Sequence, residues 1–317
     1  MSKVYLIPVT VFLIFQLTFI GTYIAAVLQG HVVPNVPYIS DAATYSPESC
    51  VFGQLINIGS VLLGITIYIR YRQVLELFQH HPDIGSGVLK YNSLAVWFGL
   101  ASCLGISFVA NFQETNVRII HFVGAFCCFG CGTLYFWTQA LISYMLYPIS
   151  GKKLRAHLRL GMAVCCTILF ILLAVTGVMS HILFKGQDPR KWYPSDGGWY
   201  FHVVSSISEW IIATIFCFYI LSFTDEFRDV QLNHPQITLI SYSVIFLFKF
   251  SQNPYYYYSI RFIFEIIITW RNKVHLLRKL LESIHAIFIK NILRTFSILP
   301  LAISGAIAFS MFMSTVT

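Results

Sequence analysis

Residues 160–184 read LGMAVCCTILFILLAVTGVMSHILF, an apolar run with no Lys, Arg, Asp or Glu in it. At about 1.5 Å of rise per residue, such a run formed as a helix crosses a hydrocarbon core of about 30 Å. It is too long for an ordinary core helix. Immediately before it stands the basic stretch KKLRAHLR at residues 152–159, the flank expected where a membrane helix meets water. Five more blocks of the same kind occupy residues 4–28, 51–69, 92–112, 119–147 and 202–223. The whole chain agrees with this reading. Of its 317 residues 57% are hydrophobic and only 11% charged, against about 25% charged in soluble domains. A water-soluble domain is excluded. The predicted fold class is all-α, a polytopic membrane protein with a six-helix transmembrane bundle in residues 1–230. Residues 231–317 form an atypical hydrophobic and basic tail. The first block is flanked by Lys3, and its length suits an uncleaved signal anchor rather than a cleaved leader.

The formal charge of +8 is unevenly distributed. Residues 1–236 hold 13 Lys and Arg against 11 Asp and Glu, and the remainder holds 8 against 2. The body is therefore near neutral, and its basic residues sit at helix ends rather than on one solvated face, which argues against nucleic-acid binding. One side of the predicted membrane collects Lys3, Arg70, Arg72, Lys90, Lys152, Lys153, Arg155, Arg159 and Arg228. The other has Arg118, Lys185, Arg190 and Lys191. The positive-inside rule then places the N-terminus in the cytosol and residues 29–50 in a lumen. No Asn-X-Ser/Thr acceptor is present to mark that side.

Seven of the eight cysteines fall in apolar spans, and only Cys50 falls in a predicted loop. No disulfide framework follows. Cys128 and Cys131 form a C-x-x-C, but with no preceding strand or polar surroundings it reads as small residues of a membrane helix.

Polar residues inside the spans are few, and such groups usually face a bundle interior or cavity. His202, Ser205 or Ser206, and Glu209 recur at helical spacing, as do His121, Gly124, Cys128, Gly132, Tyr135 and Gln139. The second set is a packing face whose small residues admit a neighbouring helix. Asn57 opens the second span and Asn111 closes the third. Asn57, Asn111, His121, Gln139, His202 and Glu209 are thus expected to form an intramembrane polar cluster toward the lumenal leaflet. It serves either to fix the bundle or to line a lipid-headgroup or ion site. Metal-dependent lipid hydrolysis by two His and a carboxylate has no H-E-x-x-H or G-x-S-x-G to support it.

The first lumenal loop carries Pro37, Tyr38, Ile39, Ser40 and Asp41, then Pro47 and Glu48. The prolines imply a stiff, extended backbone, and Pro47 with Glu48 suits the first turn of the next helix. At the cytosolic end Tyr71, Arg72, Gln73 and Val74 match the Y-x-x-Φ sorting pattern. Their position against the second span favours ordinary interfacial anchoring.

These motifs resemble those of the damage-regulated autophagy modulator (DRAM) family. The matching residues are Pro37 to Asp41 with Pro47, Glu48, Phe52 and Asn57; Thr66 to Tyr71; Ser102 to Gly105 with Val109 to Gln113; His121 with Gly124; Gly132 with Tyr135 and Gln139; and Glu209-Trp210. The resemblance implies a six-helix protein of lysosomal or related endomembranes that promotes autophagy, non-enzymatic and without cofactor or metal. Its implied partners are membrane lipids and proteins of the autophagy machinery. The wider superfamily implies two rivals, a GPI-lipid remodelling factor and a scaffold for a phosphatidylinositol kinase. Ala42-Ala43 stands here where the family usually has Thr-Gly.

The tail departs further. Residues 270–294 place Leu276, Leu277, Leu280, Leu281, Ile284, Ile287 and Phe288 on one helical face amid Lys and Arg, a basic amphipathic pattern suited to an anionic membrane surface. Residues 296–316 are long and apolar enough for a seventh span. The Ile, Phe, Tyr, Lys and Asn bias of the tail equally fits translated AT-rich non-coding sequence.

Overall fold

The computed structural model describes residues 3–232. The chain divides into two units, Met1–His234 and Pro235–Thr317, and only the first is described below. The amphipathic segment and seventh span expected of the tail lie outside the described residues.

All regular structure among the described residues is helical. Helix α1 spans Leu6–Leu28, a short α2 Ile39–Ala42, α3 Glu48–His80, α4 Gly87–Asn111, α5 Arg118–Phe126, α6 Gly132–Met145, α7 Lys153–Leu183 and α8 Trp199–Leu221. A π-helical turn, Cys127–Cys131, joins α5 to α6 into one crossing. Six crossings result, each long and apolar enough to traverse a bilayer. The end of the bundle where the chain starts is called proximal and the other distal.

The helices overrun the apolar blocks where polar sequence still propagates a helix. Helix α3 has 33 residues, about 50 Å at helical rise, so its last turns continue past Arg70 as an amphipathic extension. It stops at His81, before Pro82, because the residue preceding proline is driven out of helical backbone. Its first turn begins at Glu48 on Pro47, so Cys50 lies in that turn and not in a loop. Between α7 and α8 the chain reverses through Gly197 and Gly198, both at positive φ. A side chain at Gly197 would also strike the Leu183 carbonyl, so glycine is required there twice over.

Spans adjacent in sequence pack against each other, and α8 closes the ring on α1. Backbone comes close to backbone between α4 and the α5–α6 crossing. A Cβ placed on Gly105 would lie 2.4 Å from the Cys128 nitrogen and 2.6 Å from the Gly124 carbonyl oxygen. The small-residue face read from the sequence is therefore in use, with Ser102 adding a hydroxyl bond to the Cys128 carbonyl at 2.8 Å. Without a hydrophobic drive between helices in lipid, such close packing and interhelical hydrogen bonds hold the bundle.

The proximal end is fastened by a buried ion cluster. Arg159 donates to both oxygens of Glu226, at 3.1 and 2.7 Å. Arg70 lies 3.4 Å from the same carboxylate and Arg155 3.5 Å. Arg70 also donates to Gln139 and Gln73, and Arg159 to Ser143 and Ser222. The Phe223 ring faces both guanidiniums. Arg70 and Arg159 are almost wholly buried, which charged groups tolerate only when paired and hydrogen-bonded. Burial by itself would raise the Glu226 carboxyl, but the Arg70 and Arg159 charges overcome it and hold it down at about 2. The cluster ties the turn after α8 to α3, α6 and α7.

Candidate functional site

The distal end is built around α2. The connection after α1 turns at Val36, whose φ of 53° is a costly backbone for a β-branched residue. Residues 38–44 then fold back between the helices and are buried throughout. The segment for which the prolines imply an extended backbone is helical at Ile39–Ala42 and forms a plug. Two bonds from α8 fix it. The Ile39 N–H donates to Glu209 Oε2 at 2.8 Å, and Trp210 Nε1 donates to the Pro37 carbonyl at 2.9 Å. Replacing Trp210 by Phe removes one of these and is expected to cost about 0.5–1.5 kcal/mol, read as a lowered melting temperature with the α-helical content unchanged.

Tyr38 stands edge-on to His202, with ring centroids 4.9 Å apart, and His202 stacks on Trp192 at 4.3 Å. Trp192, in the loop between α7 and α8, is sealed from solvent and donates to the Pro189 carbonyl. His181, beside Trp192, places Nε2 3.2 Å from Glu114. Glu48, buried at the start of α3, accepts from Gln29 at 2.7 Å and lies 2.9 Å from His31 Nδ1.

The six polar residues expected to form one cluster are divided by the structure. His202 and Glu209 face inward on α8 with Ser205, which bonds to the Leu173 carbonyl. His121 is buried and bonds through Nδ1 to the Phe112 carbonyl at 2.8 Å. Asn57 and Asn111 bond to each other and to Ser107 between α3 and α4, with Asn111 exposed. Gln139 belongs to the proximal cluster, bonded to Arg70 at 3.2 Å. Its helical phase matches His121, but a separation of eighteen residues carries it about 27 Å along the axis.

Sequence reading missed Glu114, His181 and Trp192 distally and Glu226 proximally. Arg70 and Arg159 served there only to count charge. A glutamate and a histidine more than sixty residues apart give no local spacing to detect. The acidic pair Asp225-Glu226, closing the last span opposite a basic helix start, was the one usable signal.

Electrostatics at the distal end are uneven. Burial drives the Asp41 carboxyl well above its ordinary value, and Glu114, Glu209 and Asp188 push it the same way; its Oδ2 has no hydrogen-bond partner. Burial would also raise Glu114, but the His181 hydrogen bond and charge hold it below the usual range. Burial raises the Tyr38 phenol, which stays protonated. A group whose folded pKa lies above its unfolded value of 3.8 is penalised in its charged form on folding. The Asp41 penalty is therefore relieved as pH falls through the folded pKa, while the Glu114 contribution is lost only below about 4.5, where the unfolded carboxyl protonates. The purified protein is accordingly expected to gain thermal stability on going from about pH 7 to about pH 5. In Asp41→Asn that gain should shrink; an unchanged pH slope in the variant would contradict the assignment.

Beside the plug a cleft opens between α5 and α7. Helix α5 packs along α4, whereas α6 packs on both α4 and α7, so the crossing leans away from α7 over its distal half. The change falls at the π turn, a widened turn of the kind often found at functional sites. Long side chains bridge the gap, through the ring pairs Phe122–His181 and Phe126–Phe170. The cleft encloses about 480 Å³. Its lining combines the polar Tyr38, Glu114, Arg118, His121, His181 and Glu209 with the apolar Phe126, Phe129 and Phe170. His121 and Glu209 also border a second cavity of about 80 Å³ at the bundle centre, lined almost wholly by apolar side chains. Among the described residues no group of three or more His, Cys, Asp and Glu is placed to hold a metal ion.

Six apolar crossings around a buried plug, with an amphipathic cleft open at one end, define a multi-pass membrane protein whose polar groups work inside the bundle. The chain belongs to the family described as Frag1/DRAM/Sfk1/Cwh43P N-terminal domain, whose model matches residues 3–230. It is 36% identical over 218 residues to DNA damage-regulated autophagy modulator protein 2 of Bos taurus, covering 68% of this chain and 80% of that one. Over 215 residues it is 38% identical to DNA damage-regulated autophagy modulator protein 1 of Mus musculus, covering 68% and 87%. Over 180 residues it is 36% identical to the modulator of macroautophagy TMEM150B of Xenopus tropicalis, covering 56% and 66%. No solved structure matches the chain.

Proposed function

We propose that this protein is a non-enzymatic modulator of autophagy resident in lysosomal or related endomembranes, acting through lipid contacts in the lumenal leaflet at the distal cleft. The names of its relatives support the autophagy role. The surplus of Lys and Arg at the proximal end supports a cytosolic N-terminus and a lumenal cleft. The observation that carries the reading is the cleft itself, lined by polar and apolar side chains together, on the flank where α5 stands off α7. Such a lining takes a lipid that sets its head against the polar groups and its chain along the aromatic ones. Proteins of the autophagy machinery would then read the occupied bundle.

The test fills the cleft without touching the plug. Ala174 lines the cleft from α7 and is exposed. Ala174→Trp is expected to cut starvation-induced autophagic flux in cells lacking the endogenous protein, while expression and localisation stay normal. A full-length tagged copy found at the plasma membrane, together with normal flux after deletion, would overturn the reading.

A further inference from the structure

We infer that the occupant of the distal cleft is a single-chain amphiphile with a cationic amine head, bound with its ammonium against Glu209 and its chain along the aromatic wall of α5 and α7. This rests on the cleft being a lipid site and names the lipid's chemistry. Three observations carry it.

The first is the state of Glu209. Its Oε2 accepts the Ile39 N–H, no basic side chain forms an ion pair with it among the described residues, and it keeps part of its surface open although it lies deep in the bundle. A carboxylate within a membrane ordinarily meets a counter-charge, and here the open side faces the cleft. The second is Tyr38. It is 7% exposed and lines the cleft, and its hydroxyl lies beside those of Ser180 and Ser205, which donate to the Gly177 and Leu173 carbonyls and keep lone pairs that can accept from it. The Tyr38 oxygen is then left as an acceptor for an amine head beside Glu209.

The third is size and charge. The cleft, of about 480 Å³, admits an alkyl chain with a small head. Of the ionisable groups lining the cleft, His181 is engaged with Glu114, and Glu209 has no ion-pair partner among the described residues. An ammonium head supplies that counter-charge, and a carboxylate or phosphate head cannot.

Oleylamine and oleic acid share a chain length and carry opposite head charges, so they separate the head from the tail. The full chain, purified in detergent, is titrated with each, and binding is read by native mass spectrometry and by the shift in melting temperature. Oleylamine is expected to bind at least tenfold more tightly than oleic acid. Glu209→Gln should abolish that preference, and Tyr38→Phe should weaken oleylamine several-fold while leaving oleic acid unchanged. Equal or tighter binding of oleic acid, or an amine preference that survives Glu209→Gln, would overturn the inference and leave the lipid cleft standing. If neither probe binds and Ala174→Trp changes neither result nor the lipids that copurify, the cleft reading itself falls. Circular dichroism of Glu209→Gln separates lost binding from lost fold, because the Ile39 N–H retains an oxygen acceptor.

Discussion

Replacing Glu226 by Ala is expected to destabilise the bundle by about 3–5 kcal/mol, the range for removing one partner of a buried ion pair, and to be the most damaging single side-chain truncation at the proximal end. The loss comes less from the bonds themselves than from what stays behind. Arg70 and Arg159 both remain buried, near each other, with the shared counter-ion gone. Thermal unfolding in detergent measures it. Glu226→Gln should fall between wild type and Ala, because it keeps hydrogen-bond acceptance and loses the charge. Replacing Glu226 and Arg159 together by apolar residues should cost less than Glu226→Ala, since Arg70 is then the one buried guanidinium of the pair left unpaired and no longer has Arg159 beside it. The pH dependence has a definite sign. With the folded carboxyl held at about 2, its contribution is complete above the unfolded value of about 4.5 and is lost as pH falls from there toward 2. Acidification to about pH 5 should leave this clasp intact. A Glu226→Ala protein that melts with the wild type would show that the clasp does not form.

The second large effect is expected at Gly105, where Leu should prevent normal assembly of α4 with the α5–α6 crossing. The atoms it would meet are backbone, the Cys128 nitrogen and the Gly124 carbonyl, and backbone cannot swing aside as a side chain end does. Overpacking typically costs about 1–3 kcal/mol, occasionally more, and this site belongs at the upper end. Gly64, whose added Cβ meets only side-chain atoms of Leu100 and Cys103 at 3.9 and 4.0 Å, is the matched control, and Gly64→Ala should be nearly silent. Yield of monodisperse protein and melting temperature both report the difference. Equal behaviour of the two variants would refute the close approach of these helices.

The two predictions fall on features with different visibility in the sequence. Gly124 was legible as part of a small-residue face, because helical phase alone sets which side of a helix it occupies. Its partner Gly105 lies on another helix, and phase says nothing of register between helices. The stripe of His202, Ser205 and Glu209 was legible for the same reason as Gly124, and it does face inward. Gln139 shares a phase with His121 and yet sits at the other end of the membrane, because face and depth are set separately, one by rotation per residue and the other by rise. The burial of residues 38–44 ran against the prolines around them. The prolines indicate a stiff segment, but where a stiff segment goes depends on what receives it. Here Glu209 and Trp210 do so, 170 and 173 residues further on from the groups they bond.

By itself the sequence determined which six blocks of residues 1–230 are long and apolar enough to cross a membrane, and which side of the fourth and sixth is polar. Those properties follow from local sums: hydrophobicity over a window, rise per residue and helical phase. Only the tertiary structure decided that α2 is a plug, that Arg70, Arg159 and Glu226 form one clasp, and that α5 stands off α7 to open the cleft. Each of those depends on pairing groups far apart along the chain, and their energies arise only when burial removes the water that would otherwise satisfy them singly.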